Sequence, residues 1–423
     1  MTVSTERRTL MASIAYKGNR IDIEDNNNLD IKINGGSIPV EANDDATLFS
    51  SPLVFGDAAS PPDLARAVID AQSSIDAPAI VLRGTTDVDI EPTLNIRRNL
   101  AGLLDEDRNK FRDAVFLLKE RGEYDKYIKF HGFTTNLGHS GPAFFAWHRV
   151  FLRNFELELQ QSDPKYADVT LPYWDYTSAN VDSLNNSRIW RDDFFGTNGV
   201  VNLKWTGEDG SEKKWVLPGY KAHGPTIIER DGIRRNTFPL TSRFVPPVRF
   251  NEALRNTDYR SFEPVFEGQP HGGAHVVLGV GSGNDQGPPG GFATAVNDPF
   301  FMLLHCNVDR MWAKWQQLMK ERWLANNPGM EYPTTQPAKD YYWDKSDAAH
   351  TAPDNVDARR AMPNRHNLED EMWPWDATQS HSGRPDSKLV ADADKKIYTP
   401  LSVLDRRKFG YDYDNLDPAG FEV

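Results

Sequence analysis

Two different hydrophobic periods divide the chain. Over about the first 75 residues, apolar and polar residues alternate, which is the pattern of half-buried β-strands. Asn-rich and Gly-rich turns, such as Asn26–Asn28 and Asn34–Gly36, separate the alternating segments. The segments predicted as strands are Ile14–Tyr16, Arg20–Ile23 and Leu29–Ile33.

A short helix is predicted to follow these strands. Pro61 and Pro62 precede the segment Asp63–Gln72, whose apolar residues fall on one side of a helix. We therefore expect a small α+β module over residues 1–80 and a linker over residues 81–94.

From about residue 95 onward, the apolar residues recur at helical spacing. Asp105 and Gly122 bound the first predicted helix, while Pro142 and Pro299 stand where a first helical turn tolerates proline. Residues 180–260 and 325–400 show little periodicity, which predicts loops. The fold class predicted for residues 95–423 is mainly α, a helical bundle with long loops.

Composition excludes several functions. The formal net charge is −13 over 423 residues, and no cluster of Lys and Arg interleaves with aromatic residues, so we expect no nucleic-acid partner. No apolar run approaches the roughly 18 residues of a membrane helix, and the single cysteine, Cys306, excludes an internal disulfide. Arg7-Arg8 hints at a twin-arginine signal, but the apolar stretch after it is short, so we expect a cytoplasmic protein and leave secretion open.

Six histidines form two groups of three along the chain. Imidazole suits copper, zinc, iron and nickel. Within the second group, the first two histidines stand four positions apart, so one helical turn brings both rings to the same face. The first group is His131, His139 and His148, and the second is His271, His275 and His305.

The predicted helices place these groups in a bundle core. His148 and His305 lie in long helices among aromatic residues, and His131 lies near the end of another helix. Four helices, two for each metal, would enclose the site. A neutral site made only of imidazoles favours cycling between Cu(I) and Cu(II). A lone pair of histidines four apart is weak evidence, and a lone buried histidine is more often part of the core. Four other histidines, His223, His350, His366 and His381, are predicted to be solvated.

Longer motifs around the histidines resemble the tyrosinase and catechol oxidase (polyphenol oxidase) family of type-3 copper proteins. The resemblance covers about residues 95–415. It rests on His139–Arg149, which is similar to the family's first copper motif, and on Asp298–Trp312, which is similar to the second. Leu171–Asp175 and Asp405–Tyr413 also resemble family elements.

The resemblance implies a function for the two groups. Each would hold one of two copper ions, and the pair would use O2 to oxidise an o-diphenol to an o-quinone. It implies that Asp309 fixes the ring of His305, that Glu267 holds a water that helps to deprotonate the phenol, and that Phe292 is a gate above one copper.

Three positions beside the ligands bear on the substrate. Gly272 stands where some tyrosinases carry an Asn that completes the water site, and Leu304 replaces an extra histidine of many relatives. We place both, with Val276, among the positions that shape the site. Without the Asn, the water has one fewer hydrogen-bond partner, so we favour o-diphenol or o-aminophenol oxidation and keep monophenol hydroxylation open.

The N-terminal module resembles the small caddie protein of bacterial tyrosinases. That partner helps to load copper and covers the site with an aromatic side chain. Here it would be fused to the enzyme, and Phe55 falls near the position of the covering residue. Since residues 1–130 contain no histidine, we expect shielding rather than copper delivery. The segments that carry the resemblance are Tyr16–Ile21, Ile33–Val40 and Ser60–Asp70.

Rival functions remain at this point. A reversible O2 carrier of hemocyanin type would bind O2 without turnover. A dinuclear zinc hydrolase usually needs carboxylate ligands, and none accompany these histidines. A structural protein would not need all six ligands. The sequence indicates neither the natural phenol nor the oligomeric state.

Overall fold

The computed structural model forms two compact units, Met1–Asn95 and Ile96–Val423. It describes residues 10–16, 19–24, 29–33, 36–38, 40–43, 46–49, 68–70, 94–134, 138–139, 141–176, 189–196, 200–217, 230–231, 233–235, 247–278, 295–341, 368–372, 374–375 and 396–417.

The described part of the N-terminal unit is built from two antiparallel sheets. The first has the order β1-β2-β3-β4, and the second has the order β5-β6-β7. Each strand of the first sheet pairs with the next along the chain, with Ile21 facing Ile14 on one side and Ile31 on the other. The strands are β1 (Leu10–Tyr16), β2 (Asn19–Glu24), β3 (Leu29–Ile33), β4 (Gly36–Ile38), β5 (Val40–Asn43), β6 (Ala46–Phe49) and β7 (Val68–Asp70).

These strands confirm one prediction and correct another. The three alternating segments are strands β1, β2 and β3. The helix predicted over Asp63–Gln72 is wrong for residues 68–70, which form strand β7. There Val68 and Ile69 pair with Leu48 and Thr47. β-branched residues fit a strand, and the pairing with β6 satisfies the backbone groups that a helix would have satisfied internally.

The second unit is mainly helical, as the spacing of its apolar residues predicts. A π-turn, Glu267–His271, joins α5 to α6 without interruption. The α-helices are α1 (Asp105–Glu120), α2 (Glu123–Thr134), α3 (Phe144–Ser162), α4 (Pro247–Leu254), α5 (Tyr259–Phe266), α6 (Gly272–Leu278), α7 (Phe300–Asn326) and α8 (Gln336–Asp340).

Local sequence explains where α1 begins and ends and where α7 begins. Three acidic residues, Asp105–Asp107, occupy the first turn of α1, where the helix dipole favours negative charge. Gly122 follows α1 with a φ of 77°, a conformation that glycine adopts without strain. At the start of α7, the Asp298 carboxylate accepts a hydrogen bond from the backbone N–H of Phe300 at 3.0 Å.

Short strand pairs complete the second unit. Strand β8 (Asn95–Arg97) pairs with β15 (Tyr411–Tyr413). In the region predicted to be loop-rich, the strands have only two or three residues each. They are β9 (Val200–Val201), β10 (Lys204–Thr206), β11 (Glu212–Lys214), β12 (Val216–Leu217), β13 (Arg230–Asp231) and β14 (Ile233–Arg234).

Helices α3 and α7 form the centre of the core. Phe145 of α3 stacks on Trp312 of α7, with their ring centroids 5.5 Å apart. Phe262 of α5 also stacks on Phe145, with their ring centroids 5.2 Å apart. Within the described ranges, every helix is too short or too polar to span a lipid bilayer.

Candidate metal centre

Four helical elements bring the six histidines together. In the first group, His131 lies on α2, His148 lies on α3, and His139 lies in the loop before α3. In the second, His271 ends the π-turn, His275 lies on α6, and His305 lies on α7. The two groups predicted from the sequence are the groups that the structure assembles. His223, His350, His366 and His381 lie outside the described residues.

The second group is already arranged as a ligand set. The Nε2 atoms of His271 and His275 are 2.9 Å apart, those of His275 and His305 are 3.1 Å apart, and those of His271 and His305 are 3.3 Å apart. Such a triangle suits three imidazole nitrogens that share one ion at about 2.0–2.1 Å, the usual length for zinc–imidazole bonds.

The first group is slightly more open. The ring centroids of His139 and His148 are 4.8 Å apart, while that of His131 lies 5.2 Å from His139 and 5.9 Å from His148. In each group, one ligand nitrogen per residue lies within 4.8 Å of the other two. Both groups can therefore surround an ion.

The two groups adjoin each other. The ring of His148 stacks on that of His305 with a centroid distance of 4.3 Å and an interplanar angle of 15°. The rings of His139 and His271 are 5.9 Å apart. Since each contact joins one group to the other, the structure provides one dinuclear centre rather than two separate sites.

Backbone carbonyls orient two of the rings. The Nδ1 atom of His148 lies 2.8 Å from the Phe144 carbonyl oxygen, and that of His271 lies 3.1 Å from the Glu267 carbonyl oxygen. A carbonyl oxygen only accepts, so Nδ1 carries the proton and Nε2 keeps its lone pair for a metal. The buried Nε2 of His148 has no hydrogen-bond partner among the described residues, as expected of a nitrogen that binds an ion.

Burial keeps the rings neutral. Burial and the neighbouring His139 lower the pKa of His271 to about 3. Burial and nearby histidines also lower the pKa of His148, His275 and His305 well below the usual value. At neutral pH each of these neutral imidazoles therefore keeps one ring nitrogen without a proton, which a metal can bind.

Phenylalanine rings line the centre. Phe301 stacks on His305 at 4.1 Å and also lies 4.8 Å from His131 and 5.8 Å from His275, measured between ring centroids. Phe144 lies 4.8 Å from His148 and 4.8 Å from His271. Both rings are buried, and each contacts both groups, so they exclude water and fix the spacing of the two ligand sets.

Glu267 lies close to the second group but is not part of it. It begins the π-turn, is half-buried, and its backbone carbonyl holds the ring of His271. One turn earlier, the buried Glu263 hydrogen-bonds with Glu267; burial is the main cause that raises the pKa of Glu263 well above its usual value. Sequence reasoning missed Glu263, although its spacing of four from Glu267 is a signal that could have found it.

The structure corrects the role predicted for Asp309. Among the described residues, the carboxylate of Asp309 accepts hydrogen bonds from Arg149 at 2.7 Å, Tyr411 at 2.5 Å and Tyr413 at 2.6 Å, but none from His305. The Nδ1 atom of His305 has no hydrogen-bond partner among them. Because guanidinium and phenol groups occupy both carboxylate oxygens, Asp309 holds other elements together and does not orient the ligand.

The remaining predicted positions differ in exposure. Gly272 is half-buried at the start of α6, and a Cβ built there would meet the Glu267 carbonyl oxygen at an ordinary 3.5 Å, so a side chain would fit. Val276 is 44% exposed, whereas Leu304 is fully buried. Leu304 therefore belongs to the core. Phe292 and Phe55 lie outside the described residues, so their predicted roles stay predictions.

The donor set favours copper. Within the described residues, both ligand groups consist of histidines and include no carboxylate, which a dinuclear zinc hydrolase usually requires. Cys306 follows His305, but neither ligand group includes it, and burial raises the pKa of its thiol to about 12. Its S–H points toward the Leu171 carbonyl oxygen at 3.5 Å.

Known proteins of one family are similar to this chain. The profile described as "Common central domain of tyrosinase" matches residues 121–318. A grixazone synthase from Streptomyces griseus is 32% identical over 272 residues, which cover 53% of this chain and 84% of that enzyme. A tyrosinase from Streptomyces antibioticus is 31% identical over 248 residues, with the same two coverages. A mutant polyphenol oxidase from Thermothelomyces thermophila, 20% identical, superposes with a TM-score of 0.52 over 77% of this chain and 89% of its own, which shows a shared fold.

Proposed function

Because the chain belongs to the tyrosinase family, we propose that it oxidises o-diphenols to o-quinones with O2 at a copper pair held by its two histidine groups. At the coarser level, it is an oxidoreductase of the tyrosinase and polyphenol oxidase type. The observation that carries the proposal is the contact between the two groups, with His148 stacked on His305 at 4.3 Å. Ions held by the two groups would lie side by side, where both could act on one O2 molecule.

The chain supplies the surroundings that this chemistry needs. When bound, the copper pair activates O2 and accepts the two electrons that the phenol gives up. The carbonyl groups of Phe144 and Glu267 fix two ligand rings before any metal binds. Phe144 and Phe301 exclude water, which strengthens each electrostatic interaction in the site.

Glu267 is our candidate for the base. Conversion of an o-diphenol to an o-quinone removes two electrons and two protons, and a carboxylate beside the ligands can accept a proton. Glu267 is half-buried, lies four positions before His271 and touches that ring through its carbonyl. A base must lie within hydrogen-bond reach of the proton, directly or through one water, and Glu267 precedes the ligand His271 by one turn.

We expect o-diphenols and o-aminophenols to be better substrates than monophenols. An o-diphenol and an o-aminophenol each lose two electrons and two protons in the same manner. Gly272 offers no side-chain amide to a water beside Glu267, so abstraction of the monophenol proton has one fewer supporting hydrogen bond. The names of the two Streptomyces relatives, a grixazone synthase and a tyrosinase, are compatible with either preference.

Paired assays test this function. The copper-loaded chain is given catechol, o-aminophenol or tyrosine, and O2 consumption is followed together with product absorbance. We expect rapid turnover of the first two and slow or no turnover of tyrosine. His305→Ala serves as the control, since loss of a ligand should abolish the reaction. Reversible O2 binding without turnover of any phenol would instead support an O2 carrier of hemocyanin type.

We also propose that residues 1–80 shield the centre, with Phe55 as the covering residue. The support is the resemblance of Tyr16–Ile21, Ile33–Val40 and Ser60–Asp70 to the caddie protein. A protease site inserted near residue 80 allows removal after folding and copper loading. We expect catechol turnover to rise after cleavage, and unchanged turnover after clean removal would contradict the shield.

A further inference from the structure

One oxidisable side chain touches the histidines of the first group. The indole of Trp147 lies 4.9 Å from the ring of His148 and 6.1 Å from that of His131, measured between centroids. It is only 1% exposed. The phenylalanines that pack on the histidines, such as Phe144 and Phe301, are far harder to oxidise than an indole. Trp147 is therefore a side chain from which a strongly oxidised centre can draw an electron.

Two further oxidisable rings continue from Trp147 toward the surface. Trp375 lies 5.5 Å from Trp147, and Tyr398 lies 6.1 Å from Trp375. The exposed fraction rises along this series, from 1% for Trp147 to 2% for Trp375 and 9% for Tyr398. The residues before Tyr398, Lys396 and Ile397, are exposed. The three rings thus lead from the metal ligands to a phenol just beneath the surface.

The backbone holds the outer two rings in place. The N–H of Tyr398 donates to the Trp375 carbonyl oxygen at 3.0 Å, and the N–H of Met372 donates to the Tyr398 carbonyl oxygen at 2.8 Å. Among the described residues, the buried indole N–H of Trp375 has no hydrogen-bond partner. An oxidised Trp375 would therefore keep its proton and take an electron from Tyr398. The phenol of Tyr398 lies near solvent and can release its proton to water.

A second aromatic cluster is less suited to this task. Trp312 contacts Tyr259 and Tyr341, but Phe145 packs on it at 5.5 Å, between it and the neighbouring Phe144. The guanidinium carbon of Arg149 lies 3.9 Å from the Trp312 ring centroid. A nearby positive charge opposes the removal of an electron from that ring. This difference favours Trp147 over Trp312 as the residue that gives an electron to the metal centre.

We propose that Trp147, Trp375 and Tyr398 form a path along which single electrons travel from the protein surface to the copper centre; this inference rests on the proposed function. The path protects the ligands when the centre is oxidised and no phenol is bound. One electron leaves Tyr398 and reduces the oxidised copper pair by one electron. The phenol O–H bond breaks, its proton passes to water, and a neutral tyrosyl radical remains. A one-electron reductant of the ascorbate class then returns a hydrogen atom to Tyr398 and is itself oxidised.

Oxidative challenge without phenol tests the path. The copper-loaded full chain receives hydrogen peroxide as oxidant and is frozen for electron paramagnetic resonance, while a parallel sample is digested for mass-spectrometric mapping of oxidised residues. We expect a tyrosyl signal that ascorbate removes, and oxidation products at Tyr398 and Trp375. In Trp375→Phe and in Tyr398→Phe this signal should be lost. Oxidation should then move to Trp147 and the histidine ligands, and inactivation by peroxide should become severalfold faster.

Controls separate the path from general damage. Trp323→Phe alters a half-buried tryptophan near the end of α7 and should behave as the natural chain. Copper-free protein should give no radical. The proposal would be overturned if Trp375→Phe and Tyr398→Phe left the tyrosyl signal and the oxidation map unchanged. Normal catechol turnover with no radical at Tyr398 would also overturn it. A protein that binds two coppers but oxidises no phenol would contradict the proposed function itself.

Discussion

Asp309 is a buried carboxylate that joins distant parts of the second unit. Arg149 of α3 donates to it at 2.7 Å, and Tyr411 and Tyr413 of β15 donate to it at 2.5 and 2.6 Å. Arg97 of β8 approaches it at 3.4 Å and also pairs with Glu156 at 3.0 Å. A buried ion pair adds little net stability when intact, but removal of one partner leaves an uncompensated charge.

The first prediction concerns this carboxylate. Asp309→Asn keeps the shape but removes the charge opposite Arg149, so we expect the free energy of unfolding to fall by about 3–5 kcal/mol. Copper content per folded molecule should not change, because Asp309 does not contact His305. Chemical denaturation and metal analysis of the folded fraction check both statements. Loss of one copper from a folded variant would restore the role that the sequence had predicted.

The second prediction concerns the pH dependence of stability. Glu158 lies half-buried on α3, and burial raises the pKa of its carboxyl to about 7. The folded protein therefore favours the protonated form, and this contribution to stability is present at low pH and is lost as the pH rises through about 7. We expect Glu158→Gln to be more stable than the natural chain by about 1–3 kcal/mol at pH 8.5, with little difference near pH 4.5.

Denaturation at the two pH values measures this difference. Glu331→Gln, which changes an exposed glutamate, is the matched control and should shift stability by less than about 0.5 kcal/mol at both pH values. A gain for Glu158→Gln of equal size at both pH values would show that the carboxyl does not titrate as described.

Local motifs predicted the ligands but not the side chains that surround them. His271 and His275 could be paired from their spacing, and His148 and His305 from the motifs around them. The partners of Asp309 could not be predicted from local sequence, since Arg149 and Tyr413 stand 160 and 104 positions away along the chain. Glu263 could have been found from its helical spacing to Glu267. The π-turn after it could not be predicted, because the local sequence marks it only by Pro264 and Pro270, which lack the N–H of a regular helix.

At the scale of elements, the first turn of α7 is anchored by one buried ion pair. Arg235 donates two hydrogen bonds to Asp298, both at 2.7 Å, and two more to the carbonyl oxygens of Phe195 and Gly196 at 2.9 and 3.0 Å. This turn carries Phe301, whose ring contacts histidines of both groups. The anchor therefore fixes the element that spaces the two ligand sets.

The third prediction tests this anchor. Arg235→Lys keeps the charge but cannot form the paired hydrogen bonds, so we expect the free energy of unfolding to fall by about 2–4 kcal/mol and copper to be lost faster to a chelator. Arg191→Lys is the matched control. Arg191 makes a similar pair with Asp193, at 2.6 and 2.7 Å, but on the surface, where the change should cost less than about 0.5 kcal/mol. Equal costs for the two variants would show that the buried pair has no special role.

Elements with a clear period were predicted well, and short elements were not. Helices α1, α3 and α7 follow from their apolar spacing and from Gly122 and Pro299 at their boundaries. Residues 68–70 were assigned to a helix but form β7, because pairing with β6 outweighs local preference there. The two-residue strands between 200 and 234 exist only through their partners, so no local pattern could reveal them.

At the scale of the whole molecule, the second unit brings four helical elements around one dinuclear centre. The bundle was predicted because all six histidines fall on or beside helices. Their contact across the two groups could not be predicted, since it depends on how α3 and α7 pack. The rings of His148 and His305 meet because Phe145 and Trp312 interlock the same two helices.

The most direct test of the account is crystallographic. Crystals of the copper-loaded chain are measured on both sides of the copper absorption edge, and the anomalous difference map locates each ion. We expect two peaks about 3.5–4 Å apart, as in other two-metal sites. One should lie against the Nε2 atoms of His271, His275 and His305, and the other among the rings of His131, His139 and His148. A single peak, or two peaks away from these six rings, would contradict it.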